Sequence, residues 1–205
     1  MSSSRESTIP LPVPETDNPT RQGILEAAIR CVKKWGVEKT NLNDIAKEAG
    51  VTRPTVYSYF ANRHELLQAA LYQSSMLLAQ RLIAHVSAFD SIADRFVESI
   101  LFCLEELPKE PSLAVITRPD LASFVSEDAL GAPQNWELVR HVTAHVFAPA
   151  RLDPDDEAEI AEVACRMTLS LLIVDSPHQR DREALRGLIE RRLVPMIPGA
   201  VAGAR

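Results

Sequence analysis

Seven glycines and three cysteines in a chain of 205 residues leave little room for the common motifs of enzymes and metal sites. The chain has no glycine-rich phosphate loop and no G-x-S-x-G, which argues against nucleotide-binding and serine-hydrolase sites. Cys31, Cys103 and Cys165 are distant in sequence, odd in number and form no C-x-x-C. We therefore predict reduced, mostly buried thiols and no disulfide framework.

Long apolar stretches are also lacking. No run reaches the length of a membrane span, and the first twenty residues are polar and rich in proline, unlike a signal peptide. We expect a cytoplasmic protein without membrane contact, in which residues 1–19 form a disordered arm.

Strand patterns are lacking as well. Hydrophobic residues make up 46% of the chain and charged residues 24%, which are ordinary values for a globular protein. Apolar residues recur three and four positions apart, without the alternation typical of strands. The sequence therefore predicts an all-α fold.

The most informative stretch is residues 39–60, KTNLNDIAKEAGVTRPTVYSYF. Asn41 is a good start for a short helix, which Gly50 ends because glycine takes left-handed dihedrals at little cost. Thr52 then caps a second short helix with Pro54 in its first turn. The stretch thus predicts two short helices joined by a tight turn.

This pattern is typical of a helix-turn-helix, in which the second helix brings its N-terminal residues to base edges in the DNA major groove. An ordinary helical hairpin inside a core is the alternative. Val56 and Phe60 are expected to face inward, and the hairpin would not need the polar and aromatic surface that remains, formed by Arg53, Thr55, Tyr57, Ser58 and Tyr59.

Longer helices are expected on both sides of this motif. Thr20 is expected to cap a first helix over residues 21–35, with Trp35 in the core beneath the helix-turn-helix. Asn62 begins a second long helix that runs to about Val86. A helix of this length can link the N-terminal head to a second domain.

Residues 20–71 resemble the DNA-binding domain of the tetracycline-repressor (TetR) family. The resemblance covers about a quarter of the chain, and the rest matches only in length and helical character. It is carried by Arg21, Ile24, Leu25, Ala27, Ala28, Gly36, Thr40, Asp44, Ile45, Ala46, Ala49, Gly50, Val51, Thr55, Tyr57, Tyr59, Phe60, Glu65, Leu66 and Leu67.

The resemblance implies a head that reads DNA. Arg53, at the start of the second short helix, would bind guanine, and Pro54 and Thr55 would contact a thymine methyl group. The full set of predicted DNA contacts is Thr40, Asn41, Thr52, Arg53, Pro54, Thr55, Tyr57, Ser58, Tyr59 and Arg63.

Phosphate contacts are expected from Thr40, Tyr59 and Arg63, while Tyr57 is open to either role and a solvated side chain is the alternative for Arg63. Residues 20–72 hold eight Lys or Arg against five Asp or Glu, whereas residues 73–205 hold thirteen against twenty. A weakly basic head on an acidic body fits a head that meets phosphate. Whether the N-terminal arm touches DNA is left open.

Apolar periodicity predicts further helices beyond the long one, over residues 91–107, 113–125, 136–147, 155–174 and 181–196, with a loop over 130–135. The resemblance implies a homodimer through residues 155–174 and 181–197. Packing of the same apolar stripes within one chain remains the alternative.

The middle helices supply enough apolar side chains for a pocket that would hold an unknown small-molecule effector. His141 and His145, four apart on one helix, are also candidate metal ligands, but no third ligand is identifiable. The acids between residues 153 and 159 lack the spacing of a calcium loop. We predict no metal and no cofactor, and the candidate pocket residues are Phe96, Phe102, Cys103, Phe124, Trp136, His141, His145 and Met167.

The predicted domains are a DNA-binding domain over residues 20–66, an effector-binding and dimerisation domain over 67–198, and a tail over 199–205. The predicted function is a sequence-specific, non-enzymatic transcriptional regulator that binds a near-palindromic double-stranded operator and is released by its effector. The family's usual role is repression, and activation remains open. The alternative is a ligand- or metal-binding protein or enzyme whose head serves only assembly.

Overall fold

The computed structural model describes residues 18–110, 113, 133–150, 152–174 and 180–199, and the regular elements in these ranges are helices without any strand. The predicted all-α fold is confirmed. The α-helices are α1 Pro19–Trp35, α2 Leu42–Glu48, α3 Arg53–Tyr59, α4 Arg63–Val86, α5 Ile92–Glu106, α6 Pro133–Phe147, α7 Pro154–Ile173 and α8 Arg182–Arg192. Short 3-10 helices follow α5 at Leu107–Lys109 and α8 at Val194–Met196.

The head consists of α1, α2, α3 and the first turns of α4, packed around one hydrophobic cluster. Ile24 of α1, Ile45 of α2, Val56 of α3 and Leu66 of α4 are all fully buried in it. The chain turns between α2 and α3 at Gly50, whose φ of 68° lies in the left-handed region where glycine avoids strain. The predicted helix-turn-helix is therefore present.

Side-chain caps fix where these helices begin. Asn41, Thr52 and Asn62 cap α2, α3 and α4, as predicted, by accepting hydrogen bonds from the first backbone N–H groups of each helix. The cap of α1 is Asn18 and not Thr20: its Oδ1 accepts from the amides of residues 20 and 21 at 3.1 and 3.2 Å. Pro19 fits the first helical turn, where its missing N–H has no partner to lose.

Trp35 does not pack in the core. Its side chain is 38% exposed, and Lys34 Nζ lies 4.9 Å from its ring centroid. The prediction was wrong because Trp35 is the last residue of α1, one turn beyond the part of the helix that the rest of the head covers. Val32 is the last buried residue of α1.

The body is built from the second half of α4 together with α5, α6, α7 and α8. Phe96 of α5 and Phe147 of α6 stack at 5.9 Å between ring centroids in a cluster that also contains Leu82, Val86 and Ile189. Because α4 contributes Leu66 to the head core and Leu82 to the body core, it joins the two clusters as one continuous helix.

The other predicted boundaries agree to within a few residues, except that α6 begins at Pro133, inside the predicted loop over 130–135. Proline is well tolerated in a first helical turn, where its missing N–H has no partner to lose. The predicted arm over 1–19 is two residues too long, because Asn18 and Pro19 begin α1. The rest of the arm, the predicted helix over 113–125 apart from Leu113, and the end of the tail lie outside the described residues. Within the described ranges, no helix is long and apolar enough to cross a membrane.

Candidate nucleic-acid interface and internal cavity

The outer face of α3 carries most of the predicted DNA contacts. Thr52, Arg53, Pro54, Tyr57 and Ser58 are exposed, and Tyr57 retains 44% of its accessible surface. Such exposure is unusual for a large aromatic side chain, and it leaves the ring and hydroxyl available to a partner. Thr55 and Tyr59 are half-buried.

Arg53 and Tyr57 form one unit on this face. They lie four residues apart on the helix, and Arg53 Nη2 donates to the Tyr57 hydroxyl at 3.1 Å. The guanidinium carbon lies 5.4 Å from the Tyr57 ring centroid. The contact uses one of five guanidinium N–H groups and orients the others, so the pair is a partly ordered donor surface at the start of α3.

The small hydroxyls around this pair are engaged within α3. The Thr52 and Thr55 hydroxyls are hydrogen-bonded to each other at 2.8 Å, and Ser58 Oγ donates to the carbonyl of Thr55 at 2.7 Å. These bonds fix the rotamers of the three side chains.

Arg63 is half-buried and hydrogen-bonded within the head. Its Nε donates to the carbonyl of Thr40 at 2.6 Å, and its Nη2 donates to the carbonyls of Val37 and Glu38. The guanidinium thus ties the start of α4 to the loop between α1 and α2. In this structure Arg63 positions the loop, and its predicted contact with a phosphate stays a prediction.

Thr40 is buried beneath the same loop. Its side chain is 1% exposed, and its hydroxyl donates to the carbonyl of Gly36 at 2.8 Å. The hydroxyl stabilises the loop between α1 and α2, and the predicted contact of Thr40 with a phosphate stays a prediction. Its neighbour Asn41 is exposed, but its side-chain oxygen is used to cap α2.

A cavity of about 240 Å³ lies in the body between α4, α5, α6 and α7. Two of the eight predicted pocket residues, Phe96 and Cys103, are on its wall. Other helices contribute mainly small or aliphatic side chains, among them Ala79, Leu82, Leu138, Val142, Ala164 and Cys165.

Of the other predicted pocket residues, those that the structure describes do not line this cavity. Phe102 packs against His85 with ring centroids 5.2 Å apart, and Met167 is 37% exposed. Trp136 is half-buried, and Phe124 lies outside the described residues. Phe102 missed the cavity because successive helical residues point about 100° apart, and Cys103 occupies the inward position.

His141 and His145 contact each other rather than the cavity. Their ring centroids are 4.7 Å apart, and His145 Nδ1 lies 2.8 Å from the carbonyl oxygen of His141. Burial lowers the pKa of His141, and the neighbouring His145 lowers it further. Within the described ranges, no third histidine, cysteine or carboxylate joins them in a potential metal site.

Residues 24–70 match the family described as bacterial regulatory proteins, tetR family. This match covers the head, which is a DNA-binding domain of the tetR type. The chain is a DNA-binding transcriptional regulator, and α3 is the second helix of its helix-turn-helix.

Known proteins extend the likeness beyond the head. The uncharacterized HTH-type transcriptional regulator Rv1255c of Mycobacterium tuberculosis is 28% identical over 188 residues, covering 89% of this chain and 87% of that protein. The structure of the TetR family repressor AlkX from Dietzia sp. has a TM-score of 0.64 at 22% identity, covering 84% and 94% of the two chains. The multidrug binding protein EbrR, in complex with ethidium, has a TM-score of 0.54 at 28% identity, covering 89% and 100%.

Sequence reasoning missed the small residues that make the cavity of this regulator. Ala161, Ala164, Cys165 and Thr168 recur three and four apart on α7 and form one face of the cavity wall. The same spacing is typical of any packed helix face. The sequence signal was therefore present, but it did not distinguish a wall from a filled core.

Proposed function

We propose that this regulator is a homodimeric repressor that leaves its operator when a small molecule occupies the body cavity. In this proposal residues 20–66 bind DNA, and residues 67–198 hold the effector and form the dimer in the cytoplasm. The observation that carries it is the course of α4. This helix places Leu66 in the head core and Ala79 on the cavity wall.

Operator reading is assigned to the start of α3. Arg53 is exposed there, and arginine binds the O6 and N7 atoms of guanine with two parallel hydrogen bonds. Tyr57 holds the guanidinium from one turn further on, which lowers the entropy lost when the arginine binds. The oriented pair supports sequence-specific contacts rather than phosphate contacts alone.

Dimerisation is assigned to α7 and α8. Val163, Met167 and Val174 are large apolar residues exposed along one side of α7 and its end, by 40%, 37% and 64%. A second copy would cover this stripe through a two-fold interface. The two recognition helices would then lie roughly 34–36 Å apart, one DNA turn, which requires a near-palindromic operator.

Release follows from thermodynamic linkage. A ligand that fits the cavity better when the heads are in a different relative position lowers DNA affinity, and DNA must lower ligand affinity by the same factor. EbrR, which resembles this chain along its length, binds ethidium. The cavity of this chain supports a ligand site in its own body.

The test selects DNA fragments from the source genome on the immobilised full-length protein. We expect recovery of a near-palindromic motif close to a small number of promoters. Retention of random fragments alone, with affinity that falls steeply with salt and no shared motif, would contradict sequence-specific regulation.

A further inference from the structure

We propose that the effector is a small, uncharged, hydrophobic molecule. This inference rests on the proposed function, because it takes the body cavity to be the effector site. Its starting observation is that no described residue on the cavity wall carries a charged side chain. Most of the described wall is aliphatic or aromatic, contributed by residues such as Leu78, Leu82, Phe96, Ile100, Leu138 and Val142.

The hydroxyl groups on the wall are already engaged as donors. Each donates to a backbone carbonyl of its own helix, at distances between 2.7 and 3.1 Å, and the Thr143 hydroxyl also lies 3.4 Å from Glu157 Oε1, a carboxylate oxygen behind the wall. A polar ligand would have to break one of these bonds to receive a proton. These side chains are Ser75, Ser99, Thr143 and Thr168.

The two thiols on the wall stay neutral. Burial raises the pKa of Cys103 to about 12, with a further contribution from Cys165, and burial also raises the pKa of Cys165. Neither side chain supplies a thiolate at physiological pH, and a protonated thiol is only a weak hydrogen-bond donor. The cysteines therefore behave as part of the apolar wall.

Such a wall discriminates strongly by charge. An ion that enters loses its hydration, and the described wall offers neither a counter-charge nor an unengaged hydroxyl donor in return. An apolar molecule gains free energy by leaving water in proportion to the area it buries. The cavity of about 240 Å³ is also smaller than typical sites for drug-sized ligands, which are about 300–1,000 Å³, so the effector has few heavy atoms.

The experiment compares one ring system in three charge states. Binding of naphthalene, 2-naphthoate and 2-naphthylmethylammonium to the full-length protein is measured by fluorescence titration and calorimetry. We expect naphthalene to bind at least about ten times more tightly than either ion, because only the ions are desolvated without compensation. Equal or tighter binding of an ion, or no binding of naphthalene, overturns the inference.

Matched variants locate the binding. Ala79→Leu fills the cavity from α4, and Ala84→Leu makes the same change at an exposed position of that helix. Ala164→Leu and Ala158→Leu form a second pair on α7, with only Ala164 on the wall. We expect both wall variants to lose naphthalene affinity by about tenfold or more, since the added atoms occupy the ligand's volume. The two control variants, Ala84→Leu and Ala158→Leu, should bind naphthalene as tightly as the wild type.

Operator binding and thermal unfolding of every variant show that the chain is folded. If all four variants bind naphthalene equally well, the ligand lies elsewhere and the inference is wrong. If an ion binds more tightly than naphthalene while operator binding is intact, the inferred ligand class is wrong and the proposed regulatory function is unaffected. If no operator is recovered, the proposed function fails, and the three titrations still decide the chemical preference of the cavity.

Discussion

Lys33 of α1 and Glu110 form an ion pair between the head and the body, with Nζ and Oε2 3.6 Å apart. Glu110 also accepts from Arg81 of α4 at 2.9 Å. Its backbone carbonyl accepts from the amide of Leu113 at 2.9 Å, and Leu113 lies on the cavity wall. A short chain of contacts therefore runs from the cavity to the first helix of the head.

Breaking this ion pair should weaken the communication between ligand and DNA. Lys33→Ala removes the head's side of the contact. An exposed ion pair of this kind contributes about 0.2–1 kcal/mol. The ratio of operator affinity without effector to operator affinity with effector should therefore shrink by up to about fivefold. Lys34→Ala, which removes the neighbouring charge, should leave the ratio unchanged. An equal change in both variants would attribute the effect to net charge.

Arg53→Ala should abolish preference at one base pair of the operator. The loss in binding free energy should be about 1–3 kcal/mol for operators with the preferred base and close to zero for operators with any of the other three. The reason is that a bidentate arginine contact is made with guanine only. Binding to an operator library with that position randomised measures it. Tyr57→Phe keeps the ring but removes the hydroxyl that Arg53 contacts, and should reduce the preference without removing it. Uniform loss over all sequences would instead make Arg53 a phosphate contact.

Arg63→Ala should lower the stability of the head. The carbonyls of Thr40 and Val37 would lose their guanidinium donor, which costs about 1–3 kcal/mol in the free energy of unfolding. Arg63→Lys should not rescue the loss, since an ammonium group cannot span both carbonyls in the same plane. Urea titration measures the change. Arg30→Ala removes only an exposed pair with Glu48 and should change stability by about 1 kcal/mol or less.

Local signals explain which parts of the fold were predictable from the sequence. The caps Asn41, Thr52 and Asn62 act on amides two or three residues away, so their residue types alone located three helix starts. Gly50 marked the turn for the same reason. Arg63 acts on a carbonyl 23 residues away, and no periodic pattern carries that information.

The cavity was only partly predictable for a related reason. Its wall depends on the rotation of four helices about their axes, and a difference of one residue separates Cys103 on the wall from Phe102 outside it. Large aromatic residues were natural candidates, but a cavity exists where side chains are small. Ala79, Ala161 and Ala164 leave that space.

The surroundings of Glu98 predict that the free energy of unfolding depends on pH. Its side chain is 2% exposed and contacts His85 of α4 at 2.9 Å, Arg182 of α8 at 2.9 Å, and Arg186. Burial alone would raise the pKa of this carboxyl, but the hydrogen bond from His85 and the two arginines outweigh it, so the pKa lies below the usual 4.5. A lowered pKa gives stability that is present above the unfolded value and is lost as pH falls below about 4.5 through the folded value.

Glu98→Gln should therefore destabilise the protein by about 1–3 kcal/mol at pH 7, and the difference from the wild type should shrink toward pH 4 and below. Glu105→Gln is the matched control. It removes a carboxylate that also contacts Arg182 but whose side chain is 43% exposed. Urea titrations at pH 7 and pH 4 measure both variants. A difference that stays constant with pH would show that the Glu98 carboxyl has the same pKa in the folded and unfolded chain.

If α7 forms the proposed dimer interface, Met167→Glu should produce monomers. In a two-fold interface the substituted residue meets its own copy or a close neighbour, so two like charges would be buried together, which is strongly unfavourable. Leu188→Glu on α8 should act in the same way if both helices form the interface. Leu77→Glu introduces the same charge at a residue of α4 that is 55% exposed, and should leave the protein dimeric. Sedimentation velocity measures the assembly state, and operator binding should fall with it, because one head spans only half of a palindrome. A dimeric Met167→Glu variant would place the interface on a different face.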